Sequence, residues 1–68
     1  MTPQVSVDRL FDERSAANVL SCSVALLRKW RLFREGPSYV KIGRLVRYRQ
    51  DDLNAFLVSH RVETGGGR

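Results

Sequence analysis

The apolar positions of the chain follow a helical spacing in three places and an alternating one in a fourth. Ala16, Ala17, Val19 and Leu20 form the small inner face of a first helix. Asp12 stands ahead of them as an N-cap, able to accept the free amides of the first turn. Ser21-Cys22-Ser23 interrupts the pattern, and Ser23 is placed to cap a second helix starting at Val24. In that helix Leu26, Trp30 and Phe33 fall at i, i+4 and i+7, with Leu27 to the side, as a core stripe. At about 100° per residue, Arg28 lies almost opposite the centre of the stripe, with Val24, Ala25 and Arg31 around it and Lys29 on the flank. Residues 16–33 therefore read as a helix-turn-helix with a basic outer face.

Beyond it the period changes from helical to alternating. Arg34-Glu35-Gly36-Pro37-Ser38 stops the second helix, because Gly suits a C-cap and Pro cannot continue a helix. Residues 39–49 alternate as two antiparallel strands about a tight turn at Gly43-Arg44, where glycine supplies the positive φ that such turns require. Val40, Ile42, Val46 and Tyr48 are expected to face the helices, and Lys41, Arg47 and Arg49 to face outward, with Arg44 at the tip. Residues 50–59 form a third helix, with Asp51 and Asp52 at the positive end of its dipole and Leu53, Phe56 and Leu57 as its core face.

The expected fold is mostly α with a small β-hairpin, a winged helix-turn-helix in the order helix, turn, helix, two-stranded wing, helix. It occupies residues 11–60. Residues 1–10 precede it as a flexible arm ending in a Leu10-Phe11 anchor, and residues 61–68, with three glycines, follow as a flexible tail.

A chain of 68 residues allows one domain and a small core, resting on Trp30, Phe33, Tyr48 and Phe56. One cysteine and one histidine leave no disulfide framework and no zinc site, so neither metal nor cofactor is expected. Asp51 and Asp52 are adjacent on a helix and point in different directions, which suits a dipole better than an acid–base pair; no enzyme chemistry is visible. No apolar run approaches the length of a membrane span, and the first residues lack the pattern of a signal peptide, so a cytoplasmic protein without a membrane partner is expected.

Charge changes the picture most. The net charge is +5, but residues 28–49 carry eight basic side chains against Glu35 alone, a net of +7, and the segments on either side are each net −1. Such concentration is the footprint of a polyanion-binding face. Arg28, Lys29 and Arg31 on the helix and Lys41, Arg44, Arg47 and Arg49 on the hairpin are the candidates. The same pattern also fits a solvated basic helix face and a hairpin whose edges are guarded by charge.

Two segments carry a resemblance. Residues 36–49, Gly-Pro-Ser-Tyr-Val-Lys-Ile-Gly-Arg-Leu-Val-Arg-Tyr-Arg, followed by Asp51-Asp52-Leu53-Asn54-Ala55-Phe56-Leu57, resemble the wing and closing helix of the phage and plasmid excisionase family. These are small winged-helix modules related to the MerR-type DNA-binding domain. Ser23 through Trp30 resembles that family's recognition helix, with a capping Ser, a variable triplet, an aliphatic residue and a Trp. The chain departs from the family in having Ser21-Cys22 where glycine is usual, and Val24 and Ala25 where polar residues are usual.

The resemblance implies a recognition helix beginning near Ser23, with base or phosphate contacts from Val24, Ala25, Arg28 and Lys29. It also implies backbone or minor-groove contacts from Arg44 and Arg47. It further implies a protein that binds and bends double-stranded DNA at repeated sites to help an integrase excise a mobile element, or a small transcriptional regulator. An adaptor docking an acidic protein and an RNA-binding module are the readings from other classes. With every apolar face assigned to the core, the free protein is expected to be a monomer that assembles head-to-tail on DNA through small polar contacts.

Overall fold

The computed structural model describes residues 9–64. Within them the chain runs β1 (Leu10–Phe11), α1 (Glu13–Leu20), α2 (Val24–Leu32), β2 (Val40–Ile42), β3 (Leu45–Arg49) and α3 (Gln50–Ser59). This is a helix-turn-helix followed by a wing and a closing helix, with a three-stranded antiparallel sheet in the order β1-β3-β2. The Leu10-Phe11 anchor is itself the third strand, so the ordered unit begins before residue 11. The rest of the expected arm, residues 1–8, and residues 65–68 of the expected tail lie outside the described residues.

Both helix starts are capped as the sequence predicts. The Asp12 carboxylate accepts the Ser15 amide at 2.8 Å, and the Ser23 hydroxyl accepts the Leu26 amide at 3.0 Å. Each such cap stabilises a helix by about 1 kcal/mol. The helix ends depart from expectation. The Ser21 amide bonds to the Asn18 carbonyl and the Cys22 amide to that of Ala17, the paired closure of a Schellman turn, with Ser21 in the left-handed region at φ 54°. The same closure ends α2, where the Arg34 and Glu35 amides reach the Arg31 and Trp30 carbonyls. Arg34, not Gly36, there takes the left-handed position, at φ 58°. Gly36 serves the next step. It has φ +86°, and a Cβ there would lie 2.8 Å from Cβ of Trp30.

The core is Ala16, Ala17, Leu27, Tyr48 and Leu53, with Phe11, Leu20, Val24, Trp30 and Val46 packed around it. Ala16 and Ala17 are why it closes. Their small side chains let α2, β3 and α3 all approach α1. Leu27 is wholly buried, while Leu26 and Trp30 are half-buried and Phe33 is 59% exposed. The inner face of α2 is therefore turned by roughly 70° from the predicted stripe, toward Leu27 and Arg31. Phe33 misled because the helix stops at Leu32, and Phe33 has already left helical dihedrals, so its wheel position means nothing. Val19 and Leu57, also expected inside, are likewise exposed.

The hairpin turn sits at Gly43-Arg44 as predicted, with positive φ at Gly43 only, the pattern of a type II′ turn. The predicted faces do not hold. Val40 pairs with Arg47, Lys41 with Val46 and Ile42 with Leu45, and directly opposed residues share a face. A two-residue turn thus joins even positions of β2 to odd positions of β3. Val46 and Tyr48 face inward, with Lys41 on the same face but exposed, whereas Val40 and Ile42 lie on the outer face with Leu45, Arg47 and Arg49.

The core therefore does not consume every apolar face. Leu10, Ile42 and Leu45 on the sheet, Leu32 on α2 and Val58 on α3 are all exposed. β3 passes into α3 without an intervening residue: Arg49, the last residue of β3, is also the N-cap of α3. Its side chain caps nothing, and the Gln50 amide is instead taken by the Arg9 carbonyl at 3.2 Å. Among the described residues no helix is long and apolar enough to cross a membrane.

Candidate nucleic-acid interface

α2, the N-terminal turn of α1 and the wing border one open groove of about 470 Å³. Its walls include Glu13, Arg14, Arg28, Arg31, Arg44 and Arg47. The helix-turn-helix and the wing thus bring onto one surface two arginine pairs distant in sequence, Arg28 with Arg31 and Arg44 with Arg47, and Arg14 of α1 joins them.

The arginines are not equivalent. Arg31 is drawn inward by the rotation of α2: its Nη1 donates to the buried Tyr48 hydroxyl at 2.8 Å, and its Nη2 to Glu13 at 3.2 Å. It ties α2 to β3 and α1, so it is a structural residue and not a free outward contact. Arg28 forks onto the same Glu13, with Nε on one carboxylate oxygen and Nη2 on the other, but its side chain stays 63% exposed against 18% for Arg31. Hydrogen bonds from Arg28, and then from Arg31, hold the Glu13 carboxyl below the usual carboxylate range despite the opposing effect of burial. The Ser15 amide does the same for Asp12, with smaller help from the charges of Arg47 and Arg14.

The middle of the exposed face of α2 is Ala25, Leu32 and Lys29, with Arg28 on the flank nearest Glu13. Leu32, 76% exposed, was not among the predicted contacts, although its spacing of seven from Ala25 and four from Arg28 marks it. Of the other predicted residues, Ser23 is exposed but its hydroxyl is committed to the cap, and Val24 is packed against the core. Arg44 is exposed at the wing tip. Arg47 donates to its own neighbour's carbonyl, Val46, at 2.8 Å.

Of the predicted residues, Ser23, Val24, Ala25, Lys29, Lys41 and Arg49 do not line the groove. Lys41 lies on the opposite face of the wing from Arg47, and Arg49 is half-buried near Asp51 at 3.6 Å. Glu13 and Arg14 are the residues that sequence reasoning missed. Nothing in the local pattern connects Glu13 to Arg28, fifteen positions away. Cys22 is half-buried, and burial pushes its thiol pKa up, which keeps it protonated.

The chemistry available is recognition of an anion with donor geometry. Arg14, Arg44 and Arg47 line the open groove and Lys29 is exposed on α2, and none of the four has a carboxylate partner within salt-bridge distance among the described residues. No protein-family model matches the chain, and no curated protein matches it.

Proposed function

We infer that the protein binds double-stranded DNA, with the outer face of α2 in the major groove and the wing against the phosphate backbone or minor groove. The observation that carries this reading is the groove that sets Arg28, beside the exposed Lys29, across from Arg44 and Arg47. A helix of this width fits a major groove, and lateral arginines on a wing are placed for phosphates. Ala25 and Leu32, central on the exposed face, offer apolar contact to thymine methyls where polar readers are few.

With the sequence resemblance, the reading extends to an excisionase-type architectural protein of the cytoplasm. It has no catalysis of its own, and bends DNA at repeated sites to promote excision by an integrase. The free protein is a monomer in this reading. Its exposed apolar residues are distributed over the sheet, α2 and α3, and neighbouring copies on DNA have them available for contact as well as polar groups.

The test is binding to labelled duplex in competition with random DNA, over a range of salt. Complexes that survive competition are expected. Arg44→Ala with Arg47→Ala should weaken binding to every duplex and flatten the log–log salt slope by about 0.9 per lost phosphate contact. An unchanged slope would assign the wing charge to edge protection. The absence of any complex that withstands competition would favour the adaptor reading.

A further inference from the structure

A chain of polar contacts leads from the core to the surface of the groove. The buried Tyr48 hydroxyl fixes Arg31, Arg31 holds one oxygen of Glu13, and both Glu13 oxygens hold Arg28. Glu13 is itself the first residue of α1, next to the capping Asp12, so its backbone is anchored too. The arginine at the outer end is the only member of this chain that is largely exposed.

A guanidinium has five N–H groups in a plane. The fork onto Glu13 uses one on Nε and one on Nη2. That leaves both on Nη1 and the second on Nη2, along the edge turned away from the carboxylate. Two parallel donors on one edge match the O6 and N7 acceptors of guanine. A guanidinium held this way has lost its freedom to search for phosphates, and the carboxylate cancels the charge that would reward it for doing so.

We propose that Glu13 is a specificity-determining residue: it orients Arg28 to read a guanine in the major groove and suppresses the use of Arg28 on the phosphate backbone. The proposal rests on the DNA-binding reading above and assigns α1 a part in recognition although Glu13 itself touches no base. Removing the acid should therefore act in two opposite directions, raising affinity for any duplex while lowering the preference for one base.

The experiment selects bound duplexes from a random-sequence pool with the wild-type protein, Glu13→Gln, Arg28→Lys and Arg28→Ala, and measures the affinity of each for a random duplex. The wild type should prefer guanine by at least about fivefold at one position, and Arg28→Ala should lose that preference. Glu13→Gln should lose most of it at the same position while binding random duplex more tightly. Arg28→Lys keeps the charge and cannot fork. It should lose the preference with random affinity retained, and because Arg28 is exposed this variant tests the idea even if Glu13→Gln folds poorly.

Retention of the preference by Glu13→Gln or Arg28→Lys overturns the proposal. So does a site selected by Arg28→Ala that is unchanged from wild type, or a loss of random-duplex affinity in a folded Glu13→Gln. Failure of the wild type to bind any duplex is a different result, and it removes the DNA reading itself.

Discussion

Arg31 and Arg28 stand one turn apart on α2 and donate to the same carboxylate, yet they belong to different regions of the molecule. On the inner wall of the groove, Arg31 has a second partner in the buried Tyr48 and lies beside the fully buried Leu27. On the outer lip, Arg28 has Glu13 alone and shares its side of the helix with Ala25, Lys29 and Leu32. Residue type and the shared carboxylate are the same. What differs is water: a half-buried guanidinium without partners is costly, whereas an exposed ion pair contributes little to stability and is free for recognition.

The comparison is broken most directly at its apolar ends. Leu27→Ala should destabilise the fold by about 2–5 kcal/mol, because it empties a wholly buried site in a small core. Phe33→Ala should cost under about 1 kcal/mol, since its ring is mostly exposed. Denaturant titration of both variants checks this. A larger loss at Phe33 would restore the stripe that the sequence predicts.

The arginines give the next largest difference. Arg31→Ala should cost about 1–3 kcal/mol by stranding the buried Tyr48 hydroxyl and removing one of the two donors to Glu13 Oε1, while Arg28→Ala should leave the melting temperature nearly unchanged and weaken DNA binding. Acid sharpens the contrast. The Glu13 carboxyl is held below its ordinary value of about 4.3, so its contribution is complete above that value and is lost as pH falls through the lowered one. The gap in melting temperature between wild type and Glu13→Gln should therefore close as the pH drops below about 4. A gap that is the same at neutral pH and in strong acid would mean that Glu13 acts through packing and not through its charge.

The smallest effect comes from the turn that fixes how α2 meets α1. Ser21 sits in the left-handed region, where a side chain costs energy that glycine does not. Ser21→Gly should stabilise the fold by about 0.5–1 kcal/mol and leave the behaviour of both sides of α2 untouched. A loss of stability would show that the Ser21 side chain is needed for the turn.

The parts of this fold legible in the sequence are those decided within a few residues. Asp12 and Ser23 cap because a short side-chain oxygen beside a helix start has amides within reach, and Gly43 turns because few other residues accept its φ. The rotation of α2 was not legible, since it depends on Ala16 and Ala17 letting three elements crowd α1. The faces of the hairpin lay within reach of the sequence: once the turn is placed at two residues, the pairing of Ile42 with Leu45 follows from parity. At the candidate site, charge and spacing single out Arg28, Arg44 and Arg47, which the structure brings to one groove, but Glu13 is invisible in the sequence because its meaning comes from a partner in another helix. Arg31 was misplaced for the same reason that α2 was.

The direct passage of β3 into α3 has a mechanical consequence. With no loop between them, and with Arg9 of the chain leading into β1 holding the first amide of the helix, the wing has no hinge at its base. A load on the Gly43-Arg44 tip is carried along β3 into α3, and from there into the buried Leu53 and the core. To swing the wing is to unseat a helix. In the proposed reading, a duplex engaged by both α2 and the wing would meet a jaw of fixed gap, and of the two bodies it is the DNA, soft at its flexible base steps, that would have to yield.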